Sequence, residues 1–285
     1  MVDGFDIFAG QPTPEDLLAE LYDLEHDGVD EDLPFYRELA RRTRGAALDL
    51  GCGSGRLFRA LLSGGIPRIV GVDGSAALLR RAERRIAADP ELRSAAAAGR
   101  IELVHGDIRR LRRRDHFGLI VAVGVLPHLD GPPAVLAMLR GARHRLTRAG
   151  RLVLDDLGPA EMPARDLPLS TDWSRVAGGR RVTRLSRLLR SEEAGGIRVA
   201  FSTLTESEQA DGTIARLPAG YRLWYPSPVT LERLAEEAGL AVELRYGSHD
   251  LDALDQDSER RIFVTRRAAW SLGGAGGRQD VRDER

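Results

Sequence analysis

The stretch LDLGCGSGR at residues 48–56 decides how this chain folds. A short apolar run leads into a turn with glycine at every second position, and a helix-like segment follows. Glycine adopts backbone conformations that larger residues avoid, and it lets a ligand approach the main chain. The dinucleotide fingerprint G-x-G-x-x-G would need a glycine where this chain has Arg56, and Asp49 precedes the first glycine by two positions. The stretch therefore predicts a strand, a ligand-binding turn and a helix, but not the dinucleotide spacing.

Short apolar runs recur after this stretch and alternate with helix-like segments. Such alternation indicates a mostly parallel sheet covered by helices, the doubly wound α/β class. The predicted strands cover residues 46–50, 68–72, 101–105, 119–123, 151–155, 240–246 and 261–265. The predicted helices cover residues 55–62, 76–88, 133–147 and 229–238.

The remaining segments predict additions to this core. Pro14 suits a first helical turn, leucines follow it at helical spacing, and a second helix is predicted at 33–42. Three antiparallel strands, separated by Gly-Gly and Asp-Gly turns, are predicted at residues 181–190, 197–207 and 213–224. We predict a helical cap at 1–45, the core at 46–157 and 228–267, an antiparallel lid at 158–227 and a disordered tail at 268–285.

Composition excludes several classes of protein. The 285 residues carry a formal charge of −1, so no overall positive field attracts nucleic acid, and we expect none to bind. Arginine runs at 109–114 and 140–151 are interpreted as solvated faces rather than phosphate-binding patches. The single cysteine, Cys52, rules out an internal disulfide. There is no secretion signal and no apolar run of about 18 residues, so we expect a cytoplasmic protein without membrane contact.

Two more acidic residues stand at the ends of predicted strands. Asp73 ends the run IVGVD, and Asp107 follows the strand that ends in VHG. Either residue alone is typical of a surface turn. Together with the glycine turn they resemble, in order and spacing, the cofactor motifs of class I S-adenosylmethionine-dependent methyltransferases of the small-molecule type. The resemblance covers roughly residues 20–266 and extends to glycine and amino-sugar N-methyltransferases and to natural-product methyltransferases.

The resemblance implies a fold, a cofactor and its contacts. The fold is a seven-stranded Rossmann-like sheet, mostly parallel, with one antiparallel strand near an edge. Asp73 would accept hydrogen bonds from both ribose hydroxyls, and Asp107 would bind the adenine amino group with Ile108 against the ring. A carboxylate suits these contacts because charge-assisted hydrogen bonds are strong. The residues implied to bind S-adenosylmethionine are Tyr22, Asp49, Gly51, Cys52, Gly53, Asp73, Gly74, Asp107, Ile108 and Val123.

Some of these contacts keep an alternative. Cys52 has no second cysteine or paired histidine nearby in sequence, so it is expected to fill the turn rather than react. Tyr22 matches a tyrosine that related enzymes place over the cofactor, and it would equally suit the core of an amphipathic helix. Arg56 is predicted to pair with Asp49 or with a carboxylate of the cap.

Methyl transfer is an in-line displacement in which the protein aligns the acceptor and excludes water, and no metal is needed. His128 follows the fourth strand at its carboxyl end, where ligands bind in such sheets, and it is the catalytic candidate, either as a base or as an orienting residue. Alternative candidates are Asp155, Asp156, Tyr246 and His249. The chain lacks the [N/D]-P-P-[Y/F] clamp of enzymes that methylate nucleic acid bases, and it lacks the carboxylate set of metal-dependent catechol-type enzymes.

The predicted lid concentrates aromatic residues in a chain that is 5% aromatic. Its aromatic side chains are candidates for binding the acceptor, although a small core or a homodimer contact would explain each of them as well. They are Trp173, Tyr221, Trp224 and Tyr225. We therefore predict an enzyme that methylates nitrogen or oxygen of a small metabolite. The alternatives are methylation of protein or RNA, a nucleotide-dependent oxidoreductase, and a non-catalytic module that binds the cofactor.

Overall fold

The computed structural model describes residues 13–26, 28–111 and 113–268. Beyond residue 268, the predicted disordered tail lies outside the described residues, as do the first twelve residues of the predicted cap. Eleven strands are described: β1 (Ala47–Leu50), β2 (Ile69–Asp73), β3 (Ile101–His105), β4 (Phe117–Val123), β5 (Leu146–Leu157), β6 (Leu167–Ala177), β7 (Arg180–Glu193), β8 (Gly196–Glu208), β9 (Ile214–Pro226), β10 (Leu240–Tyr246) and β11 (Arg260–Arg267).

Seven of these strands form the main sheet in the order β10-β11-β5-β4-β1-β2-β3. Neighbouring strands from β5 to β3 are parallel, whereas β11 runs antiparallel to both β5 and β10. The predicted fold class is confirmed, including the antiparallel strand next to an edge. The central strand β1 is buried along its whole length, as expected for a strand covered on both faces.

Helices cover both faces of the main sheet. They are α1 (Pro14–His26), α2 (Leu33–Arg41), α3 (Phe58–Ser63), α4 (Ala76–Ala88), α5 (Pro90–Ala97), α6 (Pro132–Arg145) and α7 (Pro228–Glu237). Helix α5 was not predicted. It begins at an N-terminal cap formed by Asp89, whose carboxylate accepts hydrogen bonds from the N–H groups of Glu91 and Leu92. The alanine-rich segment buries only Leu92 and Ala95, and this leaves too little apolar periodicity for a sequence-based prediction.

The second sheet has four antiparallel strands in the order β6-β7-β8-β9, and it is inserted between β5 and α7. The three predicted strands correspond to β7, β8 and β9. The edge strand β6 was missed because nearly all of its side chains are exposed, so its sequence shows no alternation of apolar and polar residues. The sheet also packs against α1, where Leu21, Val182 and Leu217 form a small hydrophobic cluster.

Candidate functional site

The glycine turn after β1 needs glycine for its backbone and for the space around it. Gly51 and Gly53 have φ values of +73° and +54°, in the left-handed region. A Cβ on Gly51 would lie 2.5 Å from Cγ2 of Val125, and one on Gly53 would lie 3.2 Å from the hydroxyl oxygen of Tyr22. Side chains here would push apart the turn, the segment after β4 and α1, so the sequence motif marks the place where these three elements meet.

Asp73 connects this turn to the end of β2. Its Oδ2 accepts a hydrogen bond of 2.8 Å from the Gly53 N–H, and its Oδ1 accepts one of 2.7 Å from the Ser75 N–H. Each carboxylate oxygen has a second lone pair for a ligand hydroxyl. The structure therefore brings Asp73 and the glycine turn together, as the motif order predicts.

Asp49 is a buried carboxylate next to Asp73. It lies at the end of β1, is 3% exposed, and forms no side-chain hydrogen bond with the part of the chain that the structure describes. Burial and then the charge of Asp73 raise the pKa of Asp49 to about 7, against the opposing charge of Arg56. A positively charged ligand group beside these two carboxylates would be favoured, because it would relieve their mutual repulsion.

The other predicted cofactor residues lie around the same edge of the sheet. Asp107 follows β3 and is paired with Arg109, at 2.8 Å between Arg109 Nη2 and Asp107 Oδ2. Ile108 is 7% exposed and belongs to the core. Gly74 has open space where a side chain would be. Cys52 is buried, and burial raises the pKa of its thiol above the usual range, which agrees with the predicted filling role.

Arg56 binds the cap rather than Asp49. Its Nη1 and Nη2 donate hydrogen bonds of 2.6 Å to the two carboxylate oxygens of Asp32, and Nη1 also donates to the Val29 carbonyl at 2.9 Å. The Arg56 and Asp32 side chains are 19% and 8% exposed. This two-pronged ion pair fixes the segment between α1 and α2 against the glycine turn.

A cavity of about 670 Å³ opens between α1, the carboxyl edge of the main sheet and one face of the second sheet. This volume lies within the usual range for small-molecule sites. Tyr22, Val123 and His128 are the predicted cofactor and catalytic residues on its wall. The wall consists of Leu18, Leu21, Tyr22, Glu25, His26, Val29, Glu31, Asp32, Arg56, Val123, Gly124, His128, Arg184, Phe201, Thr203, Thr205, Tyr221, Leu223, His249, Glu259 and Arg260.

His128 reaches the cavity from a single 3-10 turn, Leu126–His128, that follows β4. Its ring lies edge-on to Tyr221, with 6.4 Å between the ring centroids. His128 keeps exposed surface, and partial desolvation lowers its pKa against the charge of Asp73, so the neutral imidazole can accept a hydrogen bond. Opposite it on α1, burial raises the pKa of Tyr22 to about 12, so the phenol keeps its proton.

Three of the four aromatic candidates of the lid lie away from this cavity, and we correct their assignment. Trp173 packs in the cluster between α1 and the second sheet, with the guanidinium of Arg175 over its ring. Trp224 is 1% exposed and belongs to the core of the main sheet. Tyr225 faces a separate cavity of about 430 Å³ beside α7. Tyr221 alone among them lines the main cavity.

Sequence reasoning missed Phe201 and Arg184, which lie beside Tyr221. The rings of Phe201 and Tyr221 stack at 6.2 Å, and the guanidinium of Arg184 lies over Phe201 at 5.3 Å. Phe201 pairs with Tyr221 across β8 and β9, and Thr203 and Thr205 follow on the same face at every second position. The alternation of side chains along β8 could have identified this face, but only once the pairing of β8 with β9 was known.

The alternative catalytic candidates separate into two groups. Asp155 is fully buried at the end of β5 and accepts a 2.8 Å hydrogen bond from His249, which lines the cavity. Asp156 points to the other face of the sheet, where burial raises its pKa to about 7 beside Arg261. Tyr246 is part of β10, packs in the core and contacts Phe35 edge-on at 6.5 Å.

Two arginines of each arginine run form ion pairs within the described residues. Arg113 binds Glu102 at 2.6 Å, and in the second run Arg140 and Arg151 bind Glu237 and Glu243 at 3.3 Å and 3.0 Å.

Within the described residues, no group of three or more His, Cys, Asp or Glu could hold a metal ion. None of the described helices is long and apolar enough to span a membrane.

The residues at the carboxyl ends of β1, β2 and β3 fit S-adenosylmethionine, although of the predicted cofactor residues only Tyr22 and Val123 line the cavity itself. The cofactor has an ammonium and a sulfonium, which suit the adjacent carboxylates of Asp49 and Asp73, and a ribose diol, which suits the remaining lone pairs of Asp73. Gly74, next to Asp73, has open space where a side chain would be and leaves room for the cofactor there. Ile108 and Asp107 stand next along the same edge for the adenine. The carboxyl ends of β1, β2 and β3 therefore provide every chemical group that the motifs predict.

Comparison with known proteins agrees with this geometry. Residues 47–150 match a family model described as a methyltransferase domain. A tRNA U34 carboxymethyltransferase of Shewanella amazonensis is 35% identical over 126 residues, which are 44% of this chain and 34% of that protein. The chain thus covers about a third of the length of this curated relative. The match covers less than half of this chain, and the rest of the relative is not aligned with it.

Solved structures of similar fold extend over most of the chain. The CcbJ methyltransferase from Streptomyces caelestis has a TM-score of 0.72 at 24% identity, covering 90% of this chain and 98% of that one. The sugar N-methyltransferase KedS8 from Streptoalloteichus has a TM-score of 0.67 at 20% identity, covering 94% and 99%. CalS10, an amino pentose methyltransferase from Micromonospora echinaspora, has a TM-score of 0.64 at 21% identity, covering 87% and 97%.

These comparisons confirm the predicted methyltransferase class and support S-adenosylmethionine as the cofactor. The glycine turn and the acidic residues Asp49, Asp73 and Asp107 lie within the matched segment. Residues 47–150 of this chain match the methyltransferase-domain model, and the chain as a whole has the fold of the methyltransferases CcbJ, KedS8 and CalS10.

Proposed function

We propose that this protein transfers a methyl group from S-adenosylmethionine to an amine nitrogen of a small metabolite, of the amino-sugar or related natural-product type. The observation that supports this most directly is the cavity of about 670 Å³, which α1 and the second sheet cover on the side away from the main sheet. A covered cavity of this size suits a cofactor with a small acceptor. Its wall offers polar and aromatic side chains, among them His128 and Tyr221, for contact with an acceptor.

The chemistry needs alignment more than activation. Bound S-adenosylmethionine supplies an electrophilic methyl carbon on a sulfonium. A neutral amine forms the new N–C bond with its lone pair, the C–S bond breaks, and both of its electrons remain on sulfur. The neutral form of His128, favoured because partial desolvation lowers its pKa, can accept a hydrogen bond from the amine N–H and orient the lone pair. Tyr22 closes the cofactor side of the cavity with a protonated hydroxyl.

Two further observations favour a small acceptor over a protein or RNA. Four arginines of the runs that would have to bind phosphate are paired with neighbouring carboxylates, as with Arg113 and Glu102. The ion pair of Arg184 with Glu25 joins the second sheet to α1 at the cavity wall. A macromolecule would have to displace such contacts to reach the methyl group. KedS8 and CalS10, whose folds this chain resembles, are a sugar N-methyltransferase and an amino pentose methyltransferase.

The test is a methylation assay with S-adenosylmethionine and a panel of free and nucleotide-linked amino sugars, their hydroxyl analogues, amino acids and arylalkyl amines. Release of S-adenosylhomocysteine together with a methylated amine supports the proposal. Methylation of a hydroxyl analogue alone would place the reaction at oxygen instead. Modification of bulk tRNA or protein, with no turnover of any small acceptor, would overturn the proposal, and binding of S-adenosylhomocysteine without any turnover would indicate a non-catalytic module.

A further inference from the structure

A buried network connects the cavity to the inside of the sheet. Asp155, at the end of β5, has no exposed surface and accepts hydrogen bonds from three side chains on three other segments. Tyr36 on α2 donates its hydroxyl hydrogen, His249 donates from Nε2 at 2.8 Å, and Arg260 on β11 donates from Nε at 2.9 Å and also from Nη2. His249 and Arg260 both line the cavity, whereas Tyr36 is buried behind them.

The network fixes the proton of the His249 ring. Burial of Asp155 opposes its ionisation, but the hydrogen bond from His249 and the charge of Arg260 more than compensate and hold its pKa below the usual range. Asp155 is therefore an ionised carboxylate that can only accept hydrogen bonds. The nitrogen facing it, Nε2, must carry the hydrogen. In the neutral ring Nδ1 is then the unprotonated nitrogen and the site that can take a proton.

The ring is held in orientation as well as in tautomer. Phe35 meets the His249 ring edge-on at 5.5 Å between centroids, and Tyr36 lies at 6.0 Å. The His249 side chain keeps 19% exposure, so it contacts the cavity on one side and the bonded carboxylate on the other. A histidine whose far nitrogen is bonded to a buried aspartate is the arrangement by which enzymes direct a general base at a substrate.

We propose that His249, oriented by Asp155, is the base that removes a proton from the acceptor, with Tyr36 and Arg260 as positioning residues. The inference rests on the proposed function. An amine bound as its ammonium gives one proton to Nδ1 of His249, which becomes an imidazolium beside the ionised Asp155. The freed lone pair forms the N–C bond as the C–S bond breaks. The exposed part of the ring returns the proton to water.

His128 is the other imidazole on the cavity wall, and its surroundings differ. Among the described residues no carboxylate is hydrogen-bonded to its ring, so its tautomer is not fixed as that of His249 is, and we assign it to orienting the amine. The charged and titratable groups around His249 are Asp155 from β5, Arg260 and the adjacent Glu259 from β11, Tyr36 from α2, and Asp32 and Arg56 elsewhere on the same cavity wall. The two histidines thus divide alignment and proton removal between them.

The first test compares His249→Gln with the wild type, using the amine that turns over fastest in the acceptor panel. The glutamine amide can still donate to Asp155 but cannot take a proton. We expect kcat to fall by about 100-fold or more at pH 7.5, on the scale of general base catalysis, with a smaller change in KM. The pH profile of the variant should differ from that of the wild type, with the variant's rate rising as the free amine forms. His144→Gln, on the exposed end of α6, is the matched control.

The second test needs no acceptor. Long-range ¹H–¹⁵N correlation spectra of the histidines, recorded on the complex with S-adenosylhomocysteine, identify which nitrogen of His249 carries the hydrogen. The expected result is hydrogen on Nε2, with the opposite tautomer in Asp155→Asn, whose amide can face the ring with its N–H group. In Tyr36→Phe the wild-type tautomer should persist with a smaller loss of rate.

The outcomes separate this inference from the proposed function. If the wild type methylates an amine and His249→Gln keeps both its rate and its pH profile, the inference is wrong and the proposed function stands. If the wild type methylates nothing, the proposed function fails and with it the role of His249 as its base. Hydrogen on Nδ1 of His249 in the wild type would also overturn the inference, whatever the activity.

Discussion

Replacing Asp49 by asparagine should stabilise the protein and weaken cofactor binding at the same time. Asparagine has the shape of the protonated acid and removes only the charge. The pKa of Asp49 is about 7 in the folded protein and about 3.9 in an unfolded chain. The folded state therefore binds more protons between these values, so its free energy of unfolding falls as pH rises from about 4 to 7 and changes no further above 7.

The size of this effect follows from the same pKa values. One pKa unit corresponds to about 1.4 kcal/mol, so the folded-state shift to about 7 destabilises the ionised protein by about 4 kcal/mol at pH 8. Relaxation around a buried charge reduces this to about 2–4 kcal/mol. In urea unfolding at pH 8, the free energy of unfolding of Asp49→Asn should exceed that of the wild type by this amount. At pH 5 the difference should be much smaller. Asp156 also has a pKa of about 7, so the free energy of unfolding of the variant should still fall with pH through the contribution of Asp156.

Cofactor affinity should change in the opposite direction. A lost charged hydrogen bond is worth about 1.5–3 kcal/mol, which corresponds to about 10-fold to 150-fold weaker binding of S-adenosylhomocysteine by calorimetry at pH 8. Wild-type affinity should rise with pH through about 7, because the ligand ammonium favours the ionised carboxylate. Asp49→Asn should bind without that pH dependence. A variant that is less stable than the wild type at pH 8, or that binds the ligand equally well, would refute the reasoning.

The remaining predictions concern the other parts of the site. Asp73→Ala should weaken S-adenosylhomocysteine binding by about 2–3 kcal/mol in calorimetry, because a charged hydrogen-bond acceptor is lost, and unchanged affinity would contradict the ribose assignment. His128→Ala should retain that affinity while methyl transfer slows; collapsed binding would instead make it part of the cofactor wall or the fold. Phe201→Ala should raise the KM of the acceptor and Tyr225→Ala should not, because Phe201 lines the main cavity whereas Tyr225 lines a different one. Equal effects of the two substitutions would contradict the assignment of this face of the second sheet to the acceptor.

Local sequence was sufficient for the main sheet because its signals are local. Each buried parallel strand is a short apolar run, and the glycines of the turn after β1 are required by positive φ values and by close neighbours. Helix α5 and strand β6 escaped prediction for the converse reason. Helix α5 buries few apolar side chains and strand β6 buries almost none, so neither segment shows a clear periodicity of apolar residues.

The cavity wall could not be predicted in this way. Whether Trp224 or Phe201 faces the acceptor depends on strand register, and a shift of one residue exchanges the two faces of a strand. The sequence analysis named Trp224 and missed Phe201, because it could not decide which face of each strand is covered. Only the packing of β8 and β9 against α1 and the main sheet put Phe201 on the cavity wall and Trp224 in the core.

The sequence by itself determined the order of the predicted cofactor-binding groups along the chain. The glycine turn, Asp73 and Asp107 follow the ends of successive strands, and a parallel sheet gathers these ends at one edge. Only the tertiary structure decided which distant residues join them. Asp155 and His249 are 94 positions apart, yet their side chains are 2.8 Å apart. The physical reason is that periodicity records how a segment is buried, whereas a contact between distant segments depends on the register and packing of the whole sheet.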